Sequence, residues 1–429
     1  TKMSRYCRAF VISAFYMAVN IKKSRFFLIK NVVRYSINIL GVLCIFWIEV
    51  SQMRIVDLFS GAGGLTFGFY YSKENNTFVR NENCNIIFAN EYDHAAAESF
   101  RINFPDINMI NQDIKELTEE QVRALIGEKE VDLIIGGPPC QSYSTIGRRV
   151  YDDKAKLYNE YYRMLSIIRP RMFLFENVKG MLSMKDEKGN FVIDNIKNMF
   201  ENINEELGYN IVYNTIDAVN YGVPQHRERV FIIGIRNDLD IEWDFNQLEV
   251  EPEQLTLEEA ISDLPHIASG EDIHEYGEEQ PENDYQRLMR GTNTELSAHF
   301  LAVYGDKIQT IMNNVIQGEG KDYINSLVDQ GILEERYRLT SGYKNTYGRL
   351  YANQPCTTIT NNMSTPSGLR CIHYEQNRAL TPREGARIQS FPDWFQFIGN
   401  KREIKTQIGN AVPPLLAMKF AEQLEKILG

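Results

Sequence analysis

Short apolar runs recur along the chain from residue 53 onward, at 55–59, 86–89, 131–135, 172–175, 211–216 and 230–235. Amphipathic stretches of helical length, such as 93–104 and 157–168, lie between several of them. That alternation predicts an α/β domain over 53–237, a doubly wound and mostly parallel sheet with helices on both faces. The pattern then changes abruptly. Residues 237–286 hold seventeen acids and no Lys or Arg, which reads most simply as a solvated connecting segment. Short polar strands and turns rich in Gly, Asn and Thr follow to about residue 375, so 238–395 are expected to form a smaller irregular domain with its hinge. A last helix, 414–428, has the apolar spacing of one that packs back onto a sheet, and returns 396–429 to the first domain.

Composition narrows the class. The 429 residues are 43% hydrophobic and 24% charged, enough for two domains and a substantial core, and unlike a disordered chain or a disulfide mini-protein. Lys and Arg number 46 against 57 Asp and Glu, a formal net charge of −11. No global positive field draws in nucleic acid, so any such site must be a local cleft. The balance is uneven. Residues 1–53 carry eight basic side chains and one acid, Glu49, leaving 38 basic and 56 acidic residues for 54–429. The apolar run 37–48 in that segment is too short to span a bilayer, which needs about 20 residues. A basic stretch of more than thirty residues before it, and Trp47-Ile48-Glu49 behind it, do not suit a secretory signal. Residues 1–52 are therefore expected to be a dispensable extension to the domain that begins at Met53, with a membrane-surface anchor as the alternative. Cysteines at 7, 44, 84, 140, 356 and 371 form no CxxC pair and have no His at metal-ligand spacing. Free thiols in a reducing, cytoplasmic setting follow, with no metal.

Chemistry collects where apolar runs end. The first runs into DLFSGAGGL (57–65), a glycine-rich turn at the ligand crevice of a doubly wound sheet. Gly61 and Gly63 begin a GxGxxG, but Thr66 stands at the third position, against a dinucleotide site. Glu91 ends the second run, where an acid accepts from ribose hydroxyls, and Asp113 is placed to accept from an exocyclic amine. Either alone reads more readily as a surface acid than as a ligand; with the turn they suggest an adenosine-containing ligand lacking a pyrophosphate. A third run ends in GGPPCQSYS (136–144), holding Cys140 on a stiff loop as a candidate nucleophile. The next delivers Glu176 to the same edge, where a desolvated carboxyl suits proton donation, unless it simply pairs with an arginine. QHRER (225–229) then places Arg227 and Arg229 on one face by strand alternation.

In order, FSGAGG (59–64), PPCQSYS (138–144), ENV (176–178), QHRER (225–229) and GNAVPP (409–414) closely resemble the DNA (cytosine-5) methyltransferases, especially the bacterial enzymes of restriction-modification systems. The resemblance covers 53–429 apart from the variable middle. It implies a methyltransferase fold with a target-recognition domain, S-adenosylmethionine as cofactor with S-adenosylhomocysteine as product, and no metal. It further implies methyl transfer to C5 of a flipped cytosine in a specific duplex sequence, through a cysteine adduct at C6. Cys140 would be the nucleophile, Glu176 would protonate toward N3, and Arg229 and Arg227 would hold the base carbonyl and adjacent phosphate. By the same resemblance Phe59, Gly61, Gly63, Glu91, Tyr92, Asp113, Ile114, Pro138, Leu157, Asn410 and Val412 line the cofactor pocket. Ser142, Ser144, Arg148 and Arg149 on the loop after Cys140, with Lys344, Arg349 and Arg387, are expected to face DNA. The implied partners are duplex DNA and a cognate endonuclease acting on the same site without stable complex; a monomer with no membrane association is expected. Three alternatives are a tRNA cytosine methyltransferase, whose CFT signature is missing here; a silent DNA-binding homologue, which would lack Cys140; and a nicotinamide or flavin oxidoreductase, which would want glycine at Thr66.

Overall fold

The computed structural model describes residues 52–139, 157–204 and 207–429, and two short strands nearer the N terminus. Those strands, Asn38–Ile39 and Val42–Leu43, pair antiparallel within a unit, Thr1–Ser51, separate from Gln52–Gly429. The larger unit is built on seven strands: β1 (Met53–Leu58), β2 (Cys84–Glu91), β3 (Asn108–Asn111), β4 (Leu133–Gly136), β5 (Met172–Val178), β6 (Tyr209–Asp217) and β7 (Glu228–Arg236). They lie in the order β6-β7-β5-β4-β1-β2-β3. β1 to β5 are mutually parallel, whereas β7 runs antiparallel to both its neighbours. The connection from β6 to β7 covers only residues 218–227, too short for the crossover that a parallel return requires. Strand order turns back between β1 and β4, and that switch point opens a crevice at their carboxyl ends.

Both sheet faces are covered. Met53 and Ile55 of β1 enter one apolar core and Val56 and Leu58 the other; Met172 and Leu174 of β5 likewise oppose Phe173 and Phe175. The first core takes Phe67 and Phe69 of α1 (Gly64–Tyr70), Ala97 and Phe100 of α2 (His94–Asn103), and Leu416, Phe420 and Leu424 of α12 (Pro414–Leu428). The second takes Val122 of α3 (Glu119–Ile126), Tyr161 and Leu165 of α4 (Tyr158–Ile168), and Ile196 and Phe200 of α5 (Val192–Glu201). Each such side chain contributes about 1.5–3 kcal/mol on burial, so a periodic stripe of three or four outweighs a helix's modest intrinsic preference. α12 does pack back onto the sheet, with the Phe420 ring 4.4 Å from that of Phe231 on β7.

The acid-rich stretch 237–286 is more than a solvated link. Leu257, Ala260 and Ile261 of α6 (Leu257–Ile261) are buried in the first core, as are Tyr285, Leu288 and Met289 of α7 (Asp284–Arg290). The acids interrupt the apolar residues without breaking their helical spacing. Strands β8 (Asp272–Glu275) and β9 (Glu295–Phe300) pair antiparallel nearby. α8 (Asp306–Asn314) and α9 (Lys321–Asp329) share a small core of their own with Tyr337, Leu339 and Ile372. α10 (Pro382–Ile388) and α11 (Lys401–Asn410) lead back to α12. No helix among the described residues is long and apolar enough to cross a membrane.

Candidate active site

The carboxyl ends of the parallel strands carry the first group of residues. After β1 the chain turns through Phe59 at φ 57 and Gly61 at φ 57 into α1. Glu91, at the end of β2, accepts the Gly61 N–H at 2.8 Å on one oxygen and the Asp93 N–H at 2.8 Å on the other. Burial raises its pKa, and those backbone donors pull it partly back. Tyr92 beside it is 75% exposed. Asp113 follows β3 and accepts the Lys115 N–H at 3.0 Å, capping a short helical turn that begins at the buried Ile114. Pro138, buried, follows β4, and Leu157, half-buried, opens α4. The C-terminal motif comes to the same place: a Cβ on Gly64 would stand 2.4 Å from the Val412 carbonyl oxygen, so glycine lets the two backbones touch. Val412 is buried and Asn410 exposed. Gly63 sits at φ 97 ahead of α1, where an added Cβ would strike Phe104.

One residue of this edge had no role in the sequence reading. Asp57, on β1, is fully buried and accepts a hydrogen bond from the Thr66 hydroxyl. Burial pushes its pKa up to about 8, against the Thr66 hydrogen bond and with help from Glu91. Thr66, where a dinucleotide fold would want glycine, thus serves a buried carboxyl. An acid inside an otherwise apolar strand was the available signal.

The second group meets across β5 and β7. Phe231 stands opposite Glu176 and Val178 opposite Arg229, so Glu176 and Arg229 are diagonal neighbours on one face. Arg229 Nε lies 3.1 Å from Glu176 Oε1, with the two side chains 14% and 12% exposed. Burial raises the Glu176 pKa; Arg229, then Arg227, draw it back down. Gly137 is what admits the carboxyl beneath the loop, since a Cβ there would be 2.6 Å from Glu176 Oε2. Asn177 donates to the Pro138 carbonyl at 3.3 Å and ties the strand to the same loop. Cys140, Ser142, Ser144, Arg148 and Arg149 lie outside the described residues.

Three of the expected arginines point elsewhere. Arg227 is 1% exposed and donates to the carbonyls of Ile359 (2.9 Å), Gly409 (2.9 Å) and Ala411 (2.8 Å). It does not share the diagonal contact of Arg229, because it precedes β7 and its fork is occupied by main-chain oxygens. Arg349 is likewise buried, giving hydrogen bonds to the carbonyls of Val315, His373, Gln376 and Met312 and to the Asn377 side chain. Arg387 is fully buried between Asp263 (2.7 Å) and Asp393. Removing either arginine from such partners would strand buried polar groups, so both are structural pegs and not DNA contacts. Lys344 is exposed. Gln225, of the same motif as Arg227, is also buried and clamps Ile388, Gln389 and Ile359.

Comparison with known proteins gives this geometry its family. A type II methyltransferase of Desulfomicrobium norvegicum, M.DdeI, is 34% identical over 387 residues, 87% of this chain and 88% of its own length. M.AgeI of Thalassovita gelatinovora, also a type II methyltransferase, is 31% identical over 87% of this chain and 99% of its own. A solved E. coli structure, described as a DNA modification methyltransferase encoded within a prophage, superposes with a TM-score of 0.67 at 26% identity, covering 88% of this chain and 99% of that one. The model for C-5 cytosine-specific DNA methylases matches residues 53–426, and the chain belongs to that family, the DNA (cytosine-5) methyltransferases.

Proposed function

We propose that the protein methylates C5 of a cytosine swung out of a specific duplex DNA sequence, as the modification enzyme of a type II restriction-modification system. The names of its relatives support the second half of that reading. The observation that carries the first half is the buried Glu176–Arg229 pair at 3.1 Å, set against the loop that leads into Cys140. Cytosine C5 is too weak a nucleophile to accept a methyl group unaided, so the ring must be activated. The Cys140 thiolate forms a bond to C6, and the electrons displaced through C4 are taken up at N3 with a proton from Glu176. In the resting pair Glu176 faces a cation; once the guanidinium of Arg229 turns to the base carbonyl, the desolvated carboxyl retains a proton more readily. Once C5 carries the methyl group, N3 returns its proton to Glu176, and departure of the C5 proton to a water-mediated base restores the C5–C6 double bond and expels the Cys140 thiolate. Both faces of the ring must be open, which a stacked base pair forbids, so the base is flipped.

S-adenosylmethionine, when bound, supplies an electrophilic methyl group on a sulfonium and leaves as S-adenosylhomocysteine. The residues at the strand ends suit it. Nothing within 4 Å would meet a Cβ on Gly61, leaving room over the turn, while Glu91 and Asp113 offer acceptors for ribose hydroxyls and an exocyclic amine. Tyr92 and Ile114 offer apolar surface to a purine, and Asn410 and Val412 close the opposite wall.

Transfer of labelled methyl groups to duplex DNA, single-stranded DNA and tRNA tests the substrate. A duplex carrying 5-fluorocytosine is expected to trap the protein covalently at Cys140, because fluorine blocks the final proton loss, and Cys140→Ser is expected to abolish the adduct. An adduct on Cys84 or Cys356, both buried and with thiol pKa values pushed up, would overturn the assignment.

A further inference from the structure

The seven-stranded sheet ends at β3 on one side and at β6 on the other. β3 has four residues, and a short edge strand is one ordinary way of keeping a sheet closed to other chains. β6 has nine, and the other ordinary means are missing from it. Apart from Asp217 at its end it carries no charge: residues 207–216 include no Lys, Arg, Asp, Glu or Pro. Its register with β7 runs unbroken from Tyr209 to Asp217, without a bulge to twist the edge away.

The ladder itself shows which backbone groups of β6 are left over. Just beyond its two ends, the Asn237 N–H donates to the Gly208 carbonyl at 3.0 Å and the Ala218 N–H to the Arg227 carbonyl at 3.1 Å. Residues that exchange such bonds alternate along an antiparallel pair, so the even positions of β6 bond to β7 and the odd positions turn N–H and C=O outward. The outward N–H of Thr215 donates to the Asn214 side chain at 2.8 Å, which closes the row at that end. The outward groups of Ile211 and Tyr213 have no hydrogen-bond partner among the described residues. Side chains are uncovered at the same place. Val212 is 37% and Tyr213 44% exposed, and by strand alternation they belong to opposite faces of the sheet.

We propose that β6 pairs antiparallel with β6 of a second copy of this chain, about a two-fold axis through Val212, and so joins two seven-stranded sheets edge to edge. That register sets Ile211 of each copy against Tyr213 of the other, and the outward N–H and C=O groups of both residues are then all used. The side chains match in the same register: Ile211 meets Tyr213, Val212 meets Val212, and Asn210 meets Asn214, an aromatic on a β-branched residue, apolar on apolar and amide on amide. Charge favours a second copy as the occupant. Two chains of net −11 repel over most of their surfaces, and an uncharged strand is where they can approach. So short a contact buries far less than the roughly 1,200 Å² of a stable complex, so the pair is weak and the monomer expected from the sequence is its dilute form. Pairing uses no residue of the site at the carboxyl ends of the parallel strands.

Sedimentation equilibrium of the full chain over about 1–500 µM tests the pairing, and the mass should rise with concentration toward that of two chains. Val212→Lys places like charges opposite one another and is expected to weaken association about tenfold or more. Tyr213→Pro is expected to do the same, because the N–H it removes is an outward one that the ladder to β7 does not use. Both variants should keep the wild-type melting temperature in dilute solution and the wild-type rate of methyl transfer; if Tyr213→Pro does not fold, the two Val212 variants decide. Val212→Cys should link copy to copy under mild oxidation, with position 212 in both joined peptides, since directly opposed residues of a non-hydrogen-bonded pair bring their Cα atoms to about 4.5 Å. A chain that stays monomeric across the range, a dimer that Val212→Lys leaves intact, or a Val212→Cys chain that does not link at 212 would overturn the proposal. Slow amide exchange at Ile211 and Tyr213 in the dilute chain would overturn it as well, because the edge would then be covered by something other than a second copy.

Discussion

Arg227→Met is expected to destabilise the fold by about 2–5 kcal/mol, whereas Arg229→Met acts chiefly on turnover, because Glu176, left without its cation, can take up a proton where the carbonyls around Arg227 cannot. Arg227 donates to three buried carbonyls, and an orphaned carbonyl costs about 1–3 kcal/mol, so a naive sum reaches about 3–9 kcal/mol. Two effects lower it. The guanidinium's own desolvation, several kcal/mol in the native state, disappears with the charge, and methionine refills much of the space. Urea unfolding of the full chain, followed by tryptophan fluorescence, should show a lower midpoint with an unchanged slope. Below the transition, Arg227→Met should also raise the KM for S-adenosylmethionine, because Gly409 and Ala411 flank Asn410 and carry Val412. Arg227→Lys should not rescue it, since an ammonium cannot reproduce a planar fork reaching three carbonyls. A midpoint unchanged within about 0.5 kcal/mol, coupled to lost turnover, would refute this reasoning and return Arg227 to the substrate.

Glu176→Gln is expected to lower turnover by about 10²–10⁴ with cofactor and DNA binding retained; in the wild type the rate falls as pH rises through the raised Glu176 pKa, and single-turnover pH profiles of the variant should lack that limb. Asp57 holds its proton in the fold to about pH 8 but loses it near 3.8 when unfolded. Between those values the folded state binds more protons, so stability declines as pH rises, by up to about 1.4 kcal/mol per unit, and Asp57→Asn should flatten that slope in unfolding experiments from pH 5 to 7. Glu91→Ala removes the acceptor that orders Gly61 and Asp93, and calorimetry should find S-adenosylmethionine binding weakened about 10- to 100-fold with DNA binding intact.

Much of this site was legible because parallel strands impose a rule: whatever follows an apolar run stands at one edge. Phe59, Glu91, Asp113, Pro138 and Glu176 all follow or end such runs, and all belong to that edge. Arg229 was legible through strand parity, since a register of whole residues keeps every second side chain on one face. Asp57 was visible as a letter but not as a buried acid, because its hydroxyl partner Thr66 sits one helical turn into α1 and was weighed only as a missing glycine.

The arginines mark where such reading stops, and for a physical reason. Sequence carries the sign of a charge but not its depth, and depth is set by partners that arrive from far along the chain. The carbonyls that hold Arg227 come from residues 132, 182 and 184 positions away, and Asp263 lies 124 positions from Arg387. A guanidinium tolerates such burial better than an ammonium, because its five donors match several oxygens at once and it is more weakly hydrated. Counting arginines as an electrostatic footprint therefore overstates the surface available to phosphate, and does so most where loops must be pegged in place. In this chain that correction takes Arg349 and Arg387 off the DNA side of the recognition region and leaves Lys344 of the three cations expected there, so of those three the salt dependence of binding should report about one contact.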